Sequence, residues 1–136
     1  MTGYSGTPLV RKLGIKEGAR VKTRGAPAHF GDLLGTLPEG AVVSPRLRAP
    51  LDILHVFAKS RARLAAELRR GLREIRQDGA LWVSWPKRAS GVDTDVTEDV
   101  IRELALPLGL VDVKVCAVDA TWPGLKLVIR QHLRAH

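Results

Sequence analysis

The sequence predicts one α/β domain: a three-layer sandwich around a mostly parallel, doubly wound sheet that closes on an antiparallel C-terminal hairpin. Three observations lead there. Short apolar runs alternate with amphipathic helical patterns, the signature of a parallel sheet with helices on both faces. The central stretch, residues 79–91 (GALWVSWPKRASG), begins as a buried strand over Ala80 to Val83 and breaks at Pro86 into a cationic, glycine-ended loop. The last two strand patterns are joined by a short loop, which pairs them antiparallel.

Taken in order, residues 1–18 read as an N-terminal arm packed on the domain, and residues 19–136 as the α/β domain itself. In the arm, Leu9, Val10, Leu13 and Ile15 anchor a short helical turn, while Tyr4 and its neighbours add hydroxyls that an arm can also carry without a ligand. Residues 19–24 alternate as a first strand, 30–34 form a short helix, and 40–43 a second strand. Residues 51–58 (LDILHVFA) are a near-continuous apolar run, as expected for a strand covered on both faces.

The clearest helix spans residues 60–77. Ser60 is its N-cap, Leu64, Leu68, Leu72 and Ile75 form its stripe, and Asp78-Gly79 is its stop. Gly71 inside that pattern predicts a close approach to the sheet. A helix over 93–106 is expected to start on a capping box of Asp95 and Glu98 and to end at Pro107 and Gly109. Residues 110–118 then alternate with Val111, Val113, Val115 and Ala117 on one face, and 124–132 complete the hairpin.

The chain has 136 residues, 45% of them hydrophobic, enough for a single core and too apolar for a disordered chain. Its one cysteine, Cys116, excludes an internal disulfide, and no cysteine–histidine spacing points to zinc. The first residues lack the apolar centre of a signal peptide, and no apolar run reaches membrane-spanning length, so a cytoplasmic protein with no membrane partner is expected. A net charge of +8 favours polyanions and phosphate-bearing ligands, although charge alone also serves solubility.

Three blocks, YSGTPLVRKLGIKEG (residues 4–18), WVSWPKRASG (82–91) and LVDVKVCAVDATWPGLKLV (110–128), resemble a bacterial domain-of-unknown-function family, number 3052, over nearly the whole chain. That family brings no activity with it. Where its members commonly read Trp-Ser-Gly, this chain has Trp122-Pro123-Gly124. More distantly, the second half is similar to that of S-adenosylmethionine-dependent methyltransferases, which run strand, helix, strand, helix and hairpin. The resemblance implies a Rossmann-like, methyltransferase-like scaffold. Two cofactor signatures of that family are missing: Gly25-Ala26-Pro27-Ala28-His29 replaces a Gly-x-Gly-x-Gly turn, and Val43-Ser44-Pro45 offers no acidic residue for ribose hydroxyls.

In a doubly wound sheet the loops leaving the C-terminal strand ends share one rim. Here that rim collects His29, Lys59, Ser60, Lys87, Arg88 and Ser90, with Asp119 near its edge. An anion- or nucleotide-sized ligand, a phosphate-bearing small molecule, is expected on Lys59, Ser60, Lys87, Arg88 and Ser90. Trp85, at the strand end, and Trp122 are either stacking surfaces for a base or core. Trp82, three residues before Trp85, faces the other side of the sheet.

Alternatively, Arg61, Arg63, Arg69, Arg70, Arg73 and Arg76 on the 60–77 helix contact nucleic-acid phosphates, although no nucleic-acid motif accompanies them. There is no nucleophile elbow, paired-carboxylate spacing or Walker loop. His29 and Asp119 are the only rim groups suited to acid–base work, and His55 and Cys116 sit in apolar strands as core residues. The residues name no cofactor, metal site or catalytic set. They favour a non-enzymatic binding protein, with a divergent methyltransferase and a nucleic-acid-binding protein as alternatives, and a homodimer through the hairpin edge as a further expectation.

Overall fold

A computed structural model describes residues 6–134; Tyr4 and Ser5 lie outside them. In chain order the elements are α1 (Leu9–Lys12), β1 (Arg20–Arg24), α2 (Phe30–Leu34), β2 (Val42–Ser44), β3 (Leu51–Phe57), α3 (Arg61–Leu72), β4 (Ile75–Ser84), α4 (Glu98–Ala105), β5 (Leu110–Ala117) and β6 (Pro123–Ile129). One six-stranded sheet has the order β2-β1-β3-β4-β6-β5. The strands β2, β1, β3 and β4 pair parallel, and β6 pairs antiparallel with both β4 and β5. The β5–β6 turn therefore lies at the same end of the sheet as the C-terminal ends of β1, β3 and β4. No helix among the described residues is long and apolar enough to cross a membrane.

Two apolar clusters fill the faces. On one, Leu54, Val56, Leu81, Val83, Leu125 and Leu127 meet Leu64 and Leu68 of α3 and Ile101 and Ala105 of α4. On the other, Val21, Ile53, Phe57 and Trp82 meet Val10 of α1, Phe30 and Leu34 of α2, and the Leu13–Ile15 turn. Of the N-terminal anchors expected from the sequence, Val10, Leu13 and Ile15 are buried there and Leu9 is half-buried against them, and the Trp82 indole N–H donates to the Leu13 carbonyl at 3.1 Å. Trp82 and Trp85 fall in opposite clusters, as their spacing requires. Gly71 packs where its pattern break predicted: a Cβ there would lie 2.8 Å from methyls of both Leu54 and Leu81.

Several elements differ from the sequence reading, among them the last strand, which ends at Ile129 and not at His132. The long helix stops at Leu72, not Gln77, because Glu74 turns back on Gly71 and its carbonyl then accepts from Leu51. Ile75 and Arg76 consequently open β4, and Gly79 is not a helix stop. It lies inside the strand, where a Cβ would come within 2.9 Å of the Asp52 carbonyl oxygen. The helix expected from residue 93 begins at Glu98, with Thr97 rather than Asp95 as its cap, accepting from the Val100 N–H at 3.2 Å. On β5 the register slips between Asp112 and Lys114, so the expected apolar face is not buried. Val113 and Val115 are 55% and 53% exposed along the sheet edge.

His55 is a core residue, as its apolar run implied. Its ring stacks on Phe57 at 4.2 Å, and its Nε2 shares a 2.7 Å hydrogen bond with the buried Ser84 hydroxyl. Burial lowers its pKa to about 3, so the folded protein holds it neutral while the unfolded chain protonates near 6.5. The stability this contributes is complete above pH 6.5 and is lost as the pH falls from there toward 3, by about 1.4 kcal/mol per pH unit. Urea unfolding of wild type and His55→Gln between pH 7.5 and 5 tests this. The variant should show a markedly flatter dependence, and equal slopes would refute it.

Candidate functional site

The site follows from the strand order. β1 lies between β2 and β3, so the chain leaves β1 toward one edge of the sheet and later returns on its other side. At such a switch point the loops diverge and leave a crevice at the C-terminal strand ends. Gly25 makes the crevice tight. It has φ +74°, and a Cβ there would sit 2.7 Å from the Phe57 carbonyl oxygen and 3.3 Å from the Arg63 guanidinium.

Three of the four loops predicted to share the rim are tied to one another. His29 Nε2 and Asp119 Oδ2 lie 2.8 Å apart, tying the loop after β1 to the β5–β6 turn across 90 residues of sequence. Lys87 N–H donates to the Thr121 carbonyl at 2.9 Å, which joins the loop after β4 to the same turn. Asp119 also accepts from the Thr121 and Trp122 amides, both at 2.8 Å. Partial burial works to raise its carboxyl, but the hydrogen bonds from His29 and those two amides outweigh it and hold the group below the ordinary carboxylate range. His29 is 52% exposed, so the pair is an anchored carboxylate orienting an open imidazole.

The expected ligand residues do not all present free groups. Lys59, Lys87 and Arg88 are exposed. The Ser60 hydroxyl, however, accepts from the Arg63 N–H at 3.0 Å, and the Asp95 carboxylate caps the same helix end through the Arg61 N–H at 2.6 Å. A carboxylate thus already occupies the positive end of α3, which explains why Asp95 does not start α4. The Ser90 hydroxyl closes its own turn, donating to the Lys87 carbonyl and accepting from the Val92 N–H. Trp85 and Trp122 are 8% and 9% exposed and pack as core, Trp122 edge-on to Phe57, so neither offers an open stacking face.

The arginines of the 60–77 stretch are divided. Arg61 pairs with Glu103 at 2.8 Å, and Arg76, in β4 rather than on the helix, pairs with Asp52 at 3.0 Å. Arg69 and Arg73 project from the outer side of α3, and Arg63 and Arg70 flank β1. Cys116 is half-buried; burial pushes its thiol up, with Lys12 and Lys114 offsetting part of the effect. Among the described residues no three His, Cys, Asp or Glu side chains are placed to hold a metal ion.

Two clefts open beside the switch point, and sequence reasoning missed both. One, of about 480 Å³, is apolar and is lined by Ala26, Ala28, Phe30, Leu34 and Val43. The other, of about 420 Å³, is cationic and carries Lys22, Arg24, Arg63 and Arg70 with Glu67. Thr23, Gly25 and Pro45 line both. The signal for the cationic cleft was the alternation Arg20, Lys22, Arg24 along β1, which puts three cations on one face.

Compared with solved structures, the chain is similar to an S-adenosylmethionine-dependent methyltransferase from Aquifex aeolicus (TM-score 0.63, 14% identity, 88% of this chain and 87% of that one). It is also similar to the fibrillarin pre-rRNA processing protein of Methanococcus jannaschii (0.58, 11%, 85% and 68%). A third match is Aeropyrum pernix fibrillarin, solved with natively bound S-adenosyl-L-methionine (0.53, 17%, 93% and 70%). The fold is therefore the Rossmann-like α/β fold of the methyltransferases, in a single small domain with an antiparallel C-terminal hairpin. No family model matches the chain, so the resemblance to the domain-of-unknown-function family gains no support there, and no curated protein matches its sequence.

The residues present do not fit the cofactor that this fold implies. Pro27 brings no N–H to the turn after β1, and its carbonyl is taken by the Phe30 amide at 3.0 Å. At the end of β2, where a carboxylate would hold ribose hydroxyls, the Ser44 hydroxyl accepts from the Arg46 N–H instead. Gly25→Ala should lower the unfolding free energy by about 2 kcal/mol, through its positive φ and its contact with the Phe57 carbonyl. Gly31→Ala, in open space on α2, should be neutral or stabilising by up to about 1 kcal/mol. Chemical denaturation of both variants checks this, and equal effects would refute the close approach.

Proposed function

We propose that this chain is a non-enzymatic binding protein that takes a nucleotide-sized anion at the C-terminal rim of its sheet. The observation that carries the reading is the common wall of the two clefts. An apolar pocket large enough for a base and a cationic one large enough for phosphate meet at Thr23, Gly25 and Pro45, beside the switch point. Lys59, Lys87 and Arg88 extend the positive rim and favour the approach of an anion. The reacting groups seen at the rim are few: His29 and Asp119 are paired there at 2.8 Å, and the sequence carries no nucleophile elbow, paired-carboxylate spacing or Walker loop.

A divergent S-adenosylmethionine-dependent methyltransferase is the second reading. The fold likeness supports it, while the turn after β1 and the end of β2 speak against it. The nucleic-acid reading retains Arg63, Arg69, Arg70 and Arg73, while Arg61 and Arg76 are taken by Glu103 and Asp52, a smaller footprint than the six arginines of the sequence.

Calorimetry with adenosine 5′-monophosphate and S-adenosylmethionine separates the readings. The nucleotide should give a saturable heat that weakens at least about tenfold in Ala28→Trp, an exposed lining position where an indole fills the apolar cleft. S-adenosylmethionine should give none. Binding of S-adenosylmethionine alone would replace this reading with the methyltransferase one.

A further inference from the structure

We infer that the cleft between β1 and α3 is a phosphate seat, built by Arg63, Arg70 and Lys22 above a buried Arg24, and that it takes the phosphate of the ligand proposed above. The location of the base rests on that reading; the seat itself stands on its own residues.

Arg24 is the floor. Its side chain is 9% exposed, and its Nη2 donates to both carboxylate oxygens of Glu74, at 2.6 Å and 2.5 Å. Its Nε lies 3.7 Å from Glu67. Its remaining nitrogen, Nη1, is buried and has no hydrogen-bond partner. A buried guanidinium nitrogen left unpaired costs free energy that a structure normally avoids, and it marks the charge of Arg24 as only partly met by its two carboxylates.

The walls carry the excess charge. Glu67 and Glu74 are both engaged by Arg24. Among the described residues no carboxylate pairs with Lys22, Arg63 or Arg70, all of which line the same 420 Å³ space. Four cations against two carboxylates leave two positive charges, matching a phosphate monoester, which carries nearly two negative charges at neutral pH. Arginine suits such a seat because its planar fork bonds phosphate oxygens in pairs. The opening at Gly25 is fixed by the same close contact that sets the crevice: the Arg63 guanidinium lies against Gly25, so the seat begins where the apolar cleft ends.

The alternative is that these side chains are simply solvated, and a comparison of probes decides. Inorganic phosphate, adenosine and adenosine 5′-monophosphate would be titrated into wild type, Arg63→Ala/Arg70→Ala, Arg69→Ala/Arg73→Ala and Lys87→Ala/Arg88→Ala, with circular dichroism to confirm folding. The monophosphate should bind at least tenfold more tightly than adenosine. That advantage should vanish in Arg63→Ala/Arg70→Ala and persist in the other two variants. If it is lost instead in Lys87→Ala/Arg88→Ala, or is unchanged in every variant, the seat is overturned while the rim reading stands. If inorganic phosphate binds with the Arg63/Arg70 dependence but neither adenosine probe binds, the seat stands and the nucleotide reading fails. No binding of any probe overturns both.

Discussion

The contact between Gly25 and the end of β3 is the constraint on which the rest depends. Backbone meets backbone there, at a φ that side chains with a Cβ rarely adopt, so the loop after β1 is drawn across the top of the sheet instead of rising from it. Everything at the rim inherits its position from that turn. His29, four residues on, reaches Asp119; Arg63 rests against the loop from the other face; and the two clefts open on either side of it.

The same economy of space shapes α3. A glycine in mid-helix is unfavourable for the helix alone, yet Gly71 lets α3 lie directly on Leu54 and Leu81. That close docking brings Glu67 of α3, and Glu74 just beyond it, onto Arg24 of β1. The network is a buried cation held by two carboxylates, with three cations beside it that pair with no carboxylate among the described residues. Buried ion pairs contribute little net stability against well-packed apolar groups. What this one does is orient charge: it engages Glu67 and Glu74 and, among the described residues, leaves Lys22, Arg63 and Arg70 without a carboxylate partner.

The fold belongs with the methyltransferases, whereas the residues at the cofactor positions do not. Such a separation is ordinary for α/β scaffolds, where the sheet supplies a crevice and the loops decide what enters it. Here Pro27 and Ser44 have turned their polar groups inward, to Phe30 and Arg46, and the space beside them is apolar. The cationic cleft lies on the other side of β1.

Periodicity and punctuation determined the layers by themselves. The buried run of β3, the stripe of α3, the opposed tryptophans of β4 and the closing hairpin were all legible, because burial imposes a repeat that the chain must carry residue by residue. The shared rim was legible too, since strand direction fixes which loops meet. What a linear reading misassigned were choices made by partners distant in sequence. Asp95 matches a capping box for the helix beside it, but 34 residues away Arg61 offered an N–H with no partner of its own. Ile75 fits the helical stripe, yet Leu51 claimed it for a strand. Val113 fits an alternating face until the register slips against β6. The arginines looked alike along the helix, and only packing against β1 and α4 sorted them into paired, outward and cleft-facing. Local pattern fixes which surface is buried; which charges stay free is settled by neighbours that only the folded chain brings together.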